Sequence, residues 1–262
     1  MNPDMLEAGP ADAKVLSVFD FDGTLTHHDS FVPFLKFAFG TGEFYGRMVK
    51  LAVPGLRFLV RQISRDELKA QLIRTFMTGV EKTWVQQKAE EYCQRNWARL
   101  MRPAGVLSVE QELGSGAEVT LCSASPALVL QPFANRLGIK LIGTELEVVD
   151  GVLTGKLTGN NCRCENKVLR LEAVYGDLGE YRLRAWGDTR GDRELLAAAQ
   201  DAHFRHFHAK KKRAKALRSP QVDQTSVLRS TPNAVAKAFT IGLCGAFRHF
   251  HAKKKKRAKA LR

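Results

Sequence analysis

KVLSVFDFDGT, residues Lys14 to Thr24, opens on a short apolar run with β-branched residues and ends in two acids, a glycine and a threonine. Such a run suits a buried parallel strand over Lys14–Phe21. Asp20 and Asp22 then stand at the end of that strand, the edge at which α/β sheets bind ligands. Carboxylates at i and i+2 of an extended segment face one side, so both can address one reacting group. A single acid at a strand end is unremarkable. Two acids followed by Gly23-Thr24 are much harder to read as ordinary solvated loop.

Outward from this segment, strands and helices alternate. Between Ser30 and Arg102 the period becomes helical: Phe31, Phe34, Leu35 and Ala38 share one face, and Leu68, Leu72, Ile73 and Phe76 another. Pro54-Gly55 and Thr78-Gly79 punctuate this block, which predicts three or four helices. Glu118–Ser123 reads as a second strand, followed by a helix through Leu137 that Gly138 closes. Lys140–Val149 and Val152–Leu157 are β-type segments meeting at Asp150-Gly151, a hairpin signal. Glu165–Tyr175 is helical, Tyr181–Trp186 a third buried strand, and Asp192–Gln200 the helix after it. The pattern predicts a doubly wound, Rossmann-like parallel α/β sheet with a helical block inserted after the first strand.

Composition sets the outer bounds. The chain has 262 residues, 44% hydrophobic and 26% charged, enough for a real core and incompatible with wholesale disorder. No stretch approaches the roughly 18 apolar residues of a membrane-spanning helix. MNPDMLEAGPADAK has acids before its first lysine and no apolar run, unlike a secretory leader. Five cysteines without framework spacing point to a reduced, cytoplasmic protein, and Cys162-x-Cys164 is too tight for a metal clip, hence structural.

The net charge of +14 is all at one end. Residues 204–262 hold 17 Lys+Arg against one acid, Asp223, which leaves 24 basic and 26 acidic residues in the remainder. FRHFHAKKKRAKALR at Phe204–Arg218 recurs with one extra lysine at Phe247–Arg262. Two copies cannot build a solenoid. Residues 205–262 are therefore expected to be a basic, disordered tail making non-specific contacts with anions. No helix-turn-helix, zinc or RNA-motif signature accompanies it, so no specific nucleic-acid module is expected.

A second acidic constellation, Gly187-Asp188-Thr189-Arg190-Gly191-Asp192, also follows a buried strand. Asp192 alone would be a helix cap. Together the two acidic loops are suited to an all-oxygen Mg²⁺ site. Between them lie Ser123, at the end of the second strand, and Lys167, early in a helix; each alone would read as surface.

The four pieces in this order, DxDGT at Asp20–Thr24, the strand ending in Ser123, Lys167 and GDxxxD at Gly187–Asp192, resemble the haloacid dehalogenase-like phosphohydrolase superfamily. The resemblance covers about residues 14–204. The helical insert is similar to that of the C1-capped subfamily IB, the phosphoserine-phosphatase-like branch. It implies a core of residues 11–29 and 106–204 and a cap of residues 30–105.

What the resemblance implies for the site is specific. Asp20 would be the nucleophile, forming an aspartyl-phosphate, and Asp22 the general acid and base. Asp20, the main-chain carbonyl of Asp22 and Asp188 would hold Mg²⁺, with Asp192 orienting Lys167 and the metal's water. Ser123, Lys167, Ala124, Thr24 and amides near Gly23 would bind the phosphate. All the charged positions are filled, which argues against an inactive scaffold. The implied activity is Mg²⁺-dependent hydrolysis of a phosphomonoester, small or lipid-like; a phosphotransferase of the same fold, or a phosphatidylglycerophosphate phosphatase C type enzyme, is the alternative.

Ser123-Ala124-Ser125-Pro126 departs from the two glycines that usually follow this serine in phosphoserine phosphatases, and Asp29 stands where those enzymes carry a glutamate. Both argue against phosphoserine as substrate. His27 and His28 beside Asp29 read as solvated or substrate-contacting more readily than as metal ligands. Residues 31–60 hold six of the fifteen phenylalanines, interleaved with Lys36, Arg47, Lys50 and Arg57. That composition reads either as an aromatic helical core or as a cap admitting a membrane-surface phosphomonoester, with the protein then peripheral at the inner membrane surface.

Overall fold

A computed structural model describes residues 14–208. Its central sheet has five parallel strands: β1 (Lys14–Phe19), β2 (Glu118–Pro126), β3 (Lys140–Thr144), β6 (Tyr181–Gly187) and β7 (Asp201–Phe204), in the order β3-β2-β1-β6-β7. A hairpin of β4 (Leu146–Val149) and β5 (Val152–Leu157) follows β3. It turns at Asp150-Gly151, both at positive φ, as the two-residue hairpin signal requires. The expected doubly wound parallel architecture is what the chain adopts.

Strand period 2 sorts the two faces of β1. Leu16 and Val18 pack with Leu171, Leu183, Ala185 and Leu195, beneath α7 (Glu165–Tyr175) and α8 (Arg193–Ala198). Ser17 and Phe19 point the other way: Ser17 Oγ donates to Glu112 on α5 (Pro103–Gly114) at 2.6 Å, and Phe19 stacks on Trp186 at 4.2 Å. The other helix of the core is α6 (Ala127–Leu137), packed on β2 and β3 and ended by Gly138 at positive φ.

The chain leaves β1 for one side of the sheet and returns beside it as β6. The order reverses there, so the carboxyl ends of β1 and β6 flank the crevice where such sheets bind ligands.

The insert is four helices: α1 (Phe31–Lys50), bent at Gly40, α2 (Ala52–Leu59), α3 (Arg65–Met77) and α4 (Lys82–Leu100). A Ser64–Glu67 capping box starts α3. Phe34 and Phe37 pack against Tyr92, Phe39 and Phe44 against Phe76, and Tyr92 against Phe133 of the core. Of the two readings of these phenylalanines, the aromatic core is the one the packing supports. Chain entry and exit are paired at Thr26 and Met101. The hairpin also grips the cap: Gly79 N–H donates to Leu153 O, Leu153 N–H to Val80 O and Lys82 N–H to Gly151 O.

Three local features differ from the sequence reading. β1 ends at Phe19, because Phe21–Leu25 coils into a single turn in which Thr26 N–H bonds Phe21 O. β7 is an additional strand. And residues 205–208, expected to begin the tail, lie on the body: Arg205 N–H donates to Gly187 O, Arg102 to Phe207 O, and His208 Nε2 is 2.8 Å from Gly23 O. The remaining tail, with the repeat beyond His208, lies outside the described residues.

Candidate active site

Asp20 leaves the sheet with its N–H still bonded to Trp186 O, so its carboxylate is placed by the two central strands. Lys167 rises from the first turn of α7, 1% exposed, and its ammonium has three acceptors: Asp20 Oδ1 at 2.7 Å, Asp192 Oδ1 at 2.6 Å and the Cys122 carbonyl at 2.6 Å. Three acceptors match the three donors of an ammonium. The second oxygen of Asp192 accepts from Thr189 N–H at 2.9 Å and Thr189 Oγ1 at 2.8 Å, which locks the 188–192 loop.

Oxygens of Asp20, Asp188 and Asp192, all buried, lie within 4.8 Å of one another. Three carboxylates against one ammonium leave surplus negative charge in a dry place, an oxygen-only donor set suited to a hard divalent cation. The residues therefore fit Mg²⁺. The Asp22 carboxylate is not among the three, so any metal contact from Asp22 falls to its main chain. His27 and His28 do not join Asp29 in such a group among the described residues.

The charges follow from this packing. Burial and the neighbouring Asp192 push Asp20 well above the usual carboxylate range, against the pull of Lys167. Burial works against the Lys167 charge, yet Asp192 and Asp20 hold it well above the ordinary lysine value. Asp192 is also penalised by burial but ends below its usual value, because Lys167 and the Thr189 hydrogen bonds favour the anion.

Asp22 is positioned separately, on the cap side. Ser125 Oγ donates to it at 2.5 Å and Ser30 N–H at 2.7 Å. Ser123 Oγ, buried, accepts from Ser125 N–H at 3.1 Å. Thr24 Oγ1 reaches Asp20 at 3.4 Å. The Gly23 amide donates to Thr26 Oγ1 at 2.9 Å. Gly23 also leaves room for Asp188: at φ +87° an added Cβ would lie 2.5 Å from Asp188 Oδ2. Gly23→Ala is expected to cost about 1–2 kcal/mol from the left-handed backbone alone, read as a lower melting temperature, with a further loss of any activity that needs Asp188 in place. An unchanged melting temperature would refute the close approach.

Lys69 on α3 was missed by the sequence reading. It donates to the Ala124 carbonyl and to Asn161 Oδ1, so a cap side chain closes over the end of β2. Burial lowers Lys69 to about 8. Asn161 Nδ2 and Arg163 hold Asp66, fixing the first turn of α3 to the loop before α7.

Strand-end carboxylates and a buried lysine under a helical cap define a capped α/β hydrolase. The chain belongs to the haloacid dehalogenase-like hydrolase family, whose model matches residues 17–197. It is 40% identical over 199 residues to the protein CicA of Caulobacter vibrioides, covering 75% of this chain and 88% of that one. Its fold is similar to a Bordetella pertussis protein of unknown function (TM-score 0.62, 22% identity, 71% of this chain and 87% of that one). It is also similar to a phospho-aspartyl intermediate analogue of phosphoserine phosphatase (TM-score 0.50, 19% identity, 71% and 84%).

Proposed function

We propose that the protein is a Mg²⁺-dependent phosphomonoester hydrolase of the subfamily IB type. The observation that carries this reading is the Lys167 ammonium, buried between Asp20 and Asp192 with Asp188 alongside. Phosphoryl transfer needs chiefly positioning and neutralisation of the phosphoryl oxygens, and this cluster offers both.

An Asp20 carboxylate oxygen attacks phosphorus; the bond to the leaving oxygen breaks, and Asp22 gives that oxygen its proton. Water then attacks the aspartyl-phosphate while Asp22 takes its proton, releasing inorganic phosphate and restoring both carboxyl groups. Ser125 and Ser30 hold Asp22 for both transfers. Asp20, Asp188 and the Asp22 main chain would hold Mg²⁺, with Asp192 behind them. When bound, the ion supplies positive charge at the phosphoryl oxygens. Ser123, Thr24, Ala124 and Lys167 line the phosphate position. The substrate is a small or lipid-like phosphorylated metabolite, and the proposed setting is the cytoplasm.

The test is phosphate release from a panel of phosphomonoesters, with Mg²⁺ and with a chelator. Release that requires Mg²⁺ is expected; no release from any ester under either condition would overturn the reading. A magnesium titration then separates the acids. Asp188→Asn is expected to raise the Mg²⁺ concentration needed for activity. Asp22→Asn is expected to lower turnover by about 10²–10⁴-fold at saturating metal. Equal shifts in metal requirement for both variants would defeat this division of roles.

A further inference from the structure

One element of the cap has no core to serve. Helix α2 buries none of its residues, although its sequence is AVPGLRFL. Val53, Leu56 and Leu59 on it, with Val49 before it and Val60 after it, are 57–72% exposed. Scattered exposed apolar residues need no explanation, but five large ones within a twelve-residue stretch do. Its charge is one-sided. Arg47 is tied to Glu43 and to the Thr75 and Phe76 carbonyls, but from Lys50 to Ser64 the chain carries Lys50, Arg57 and Arg61 and no acid. A short amphipathic element of this kind, apolar with a basic border, matches the boundary of an anionic bilayer, where apolar side chains enter the acyl edge and cations meet the headgroups.

We propose that the α2 face is a docking surface for an anionic lipid bilayer. Residues 60–64 join α2 to α3, whose first turns carry Asp66 and Lys69 onto the site loops. The lipid-like substrate class rests on the phosphatase reading above; the docking itself does not, and its test uses no turnover.

The probe is a vesicle of phosphatidylglycerol and phosphatidylcholine in equal parts, with pure phosphatidylcholine as control. The full chain is compared with a full-chain Leu56→Ser/Leu59→Ser variant by flotation. Both carry the basic tail, so its electrostatic adhesion is common to both. Raising salt from about 0.1 to 1 M shortens the screening length from about 10 to 3 Å and strips charge-only adhesion. The wild type is expected to keep a vesicle-bound fraction at high salt, and the variant to partition at least about tenfold less, since each exposed leucine entering lipid is worth about that much. An unchanged melting temperature shows that the variant is folded. Equal flotation of the two proteins overturns the proposal, as does complete release of the wild type by salt. If light scattering finds a wild-type dimer that the variant breaks, with no difference in flotation, the face joins two copies of this chain and the lipid assignment fails.

Discussion

Asp20→Asn is expected to lower turnover by at least about 10³-fold, or roughly 4 kcal/mol in the barrier. The amide keeps the shape and can still accept the Lys167 hydrogen bond through its oxygen, but it cannot attack phosphorus. The same change should not destabilise the fold. Burial and the Asp192 charge both work against the Asp20 anion, so removing that anion relieves an unfavourable term. The paired measurement is turnover beside a melting curve: lost activity with an unlowered melting temperature is the signature of a nucleophile. Near-wild-type turnover in the purified variant would rule out the aspartyl-phosphate route.

Lys167→Met is expected to act on stability as well as chemistry. It strands two buried carboxylates and the Cys122 carbonyl without their shared donor. Breaking a buried pair by removing one partner costs about 3–5 kcal/mol, and for a domain of this size that is roughly 6–20 °C of melting temperature. Lys167→Arg keeps the charge, but its planar fork cannot reproduce three contacts converging on one nitrogen; it should recover part of the stability and little activity. Methionine with wild-type melting and turnover would show that the lysine is incidental. The melting curves are taken in chelator, so that a bound cation does not mask the loss, and turnover is measured with Mg²⁺.

Much of this site was legible in the sequence because its residues sit at strand ends, and strand ends are announced by apolar runs stopping at acids. Asp20 and Asp188 stand out in that way, and Lys167 by its place in the motif order. Other parts carry no such mark. Lys69 occupies an ordinary polar position of an amphipathic helix, and only the fold brings α3 over Ala124. β7 is four residues of half-buried, mixed polarity, indistinguishable from a loop after a helix. Arg205–His208 share composition with the lysine-rich run behind them, so charge arithmetic placed them outside the body; the Arg205 N–H bond to Gly187 O and the His208 ring on Gly23 O decide otherwise. The exposure of the α2 apolar residues carries no mark either, because a hydrophobic pattern says which face seeks a partner and does not say whether the chain supplies one.

The backbone bonds between the β4–β5 hairpin and the cap alter what kind of moving part the cap is. A cap joined to its core by a single neck, here Thr26 and Met101, is a lid, free to swing about one axis. This one has a second support, since the hairpin is tied to Gly79 and Lys82 above and closed at its base by Thr158 N–H on Glu145 O. The cap is thus held to the core by its neck and by the hairpin, and the length of the 145–158 segment bears on how far that side of the cap can stand off the core.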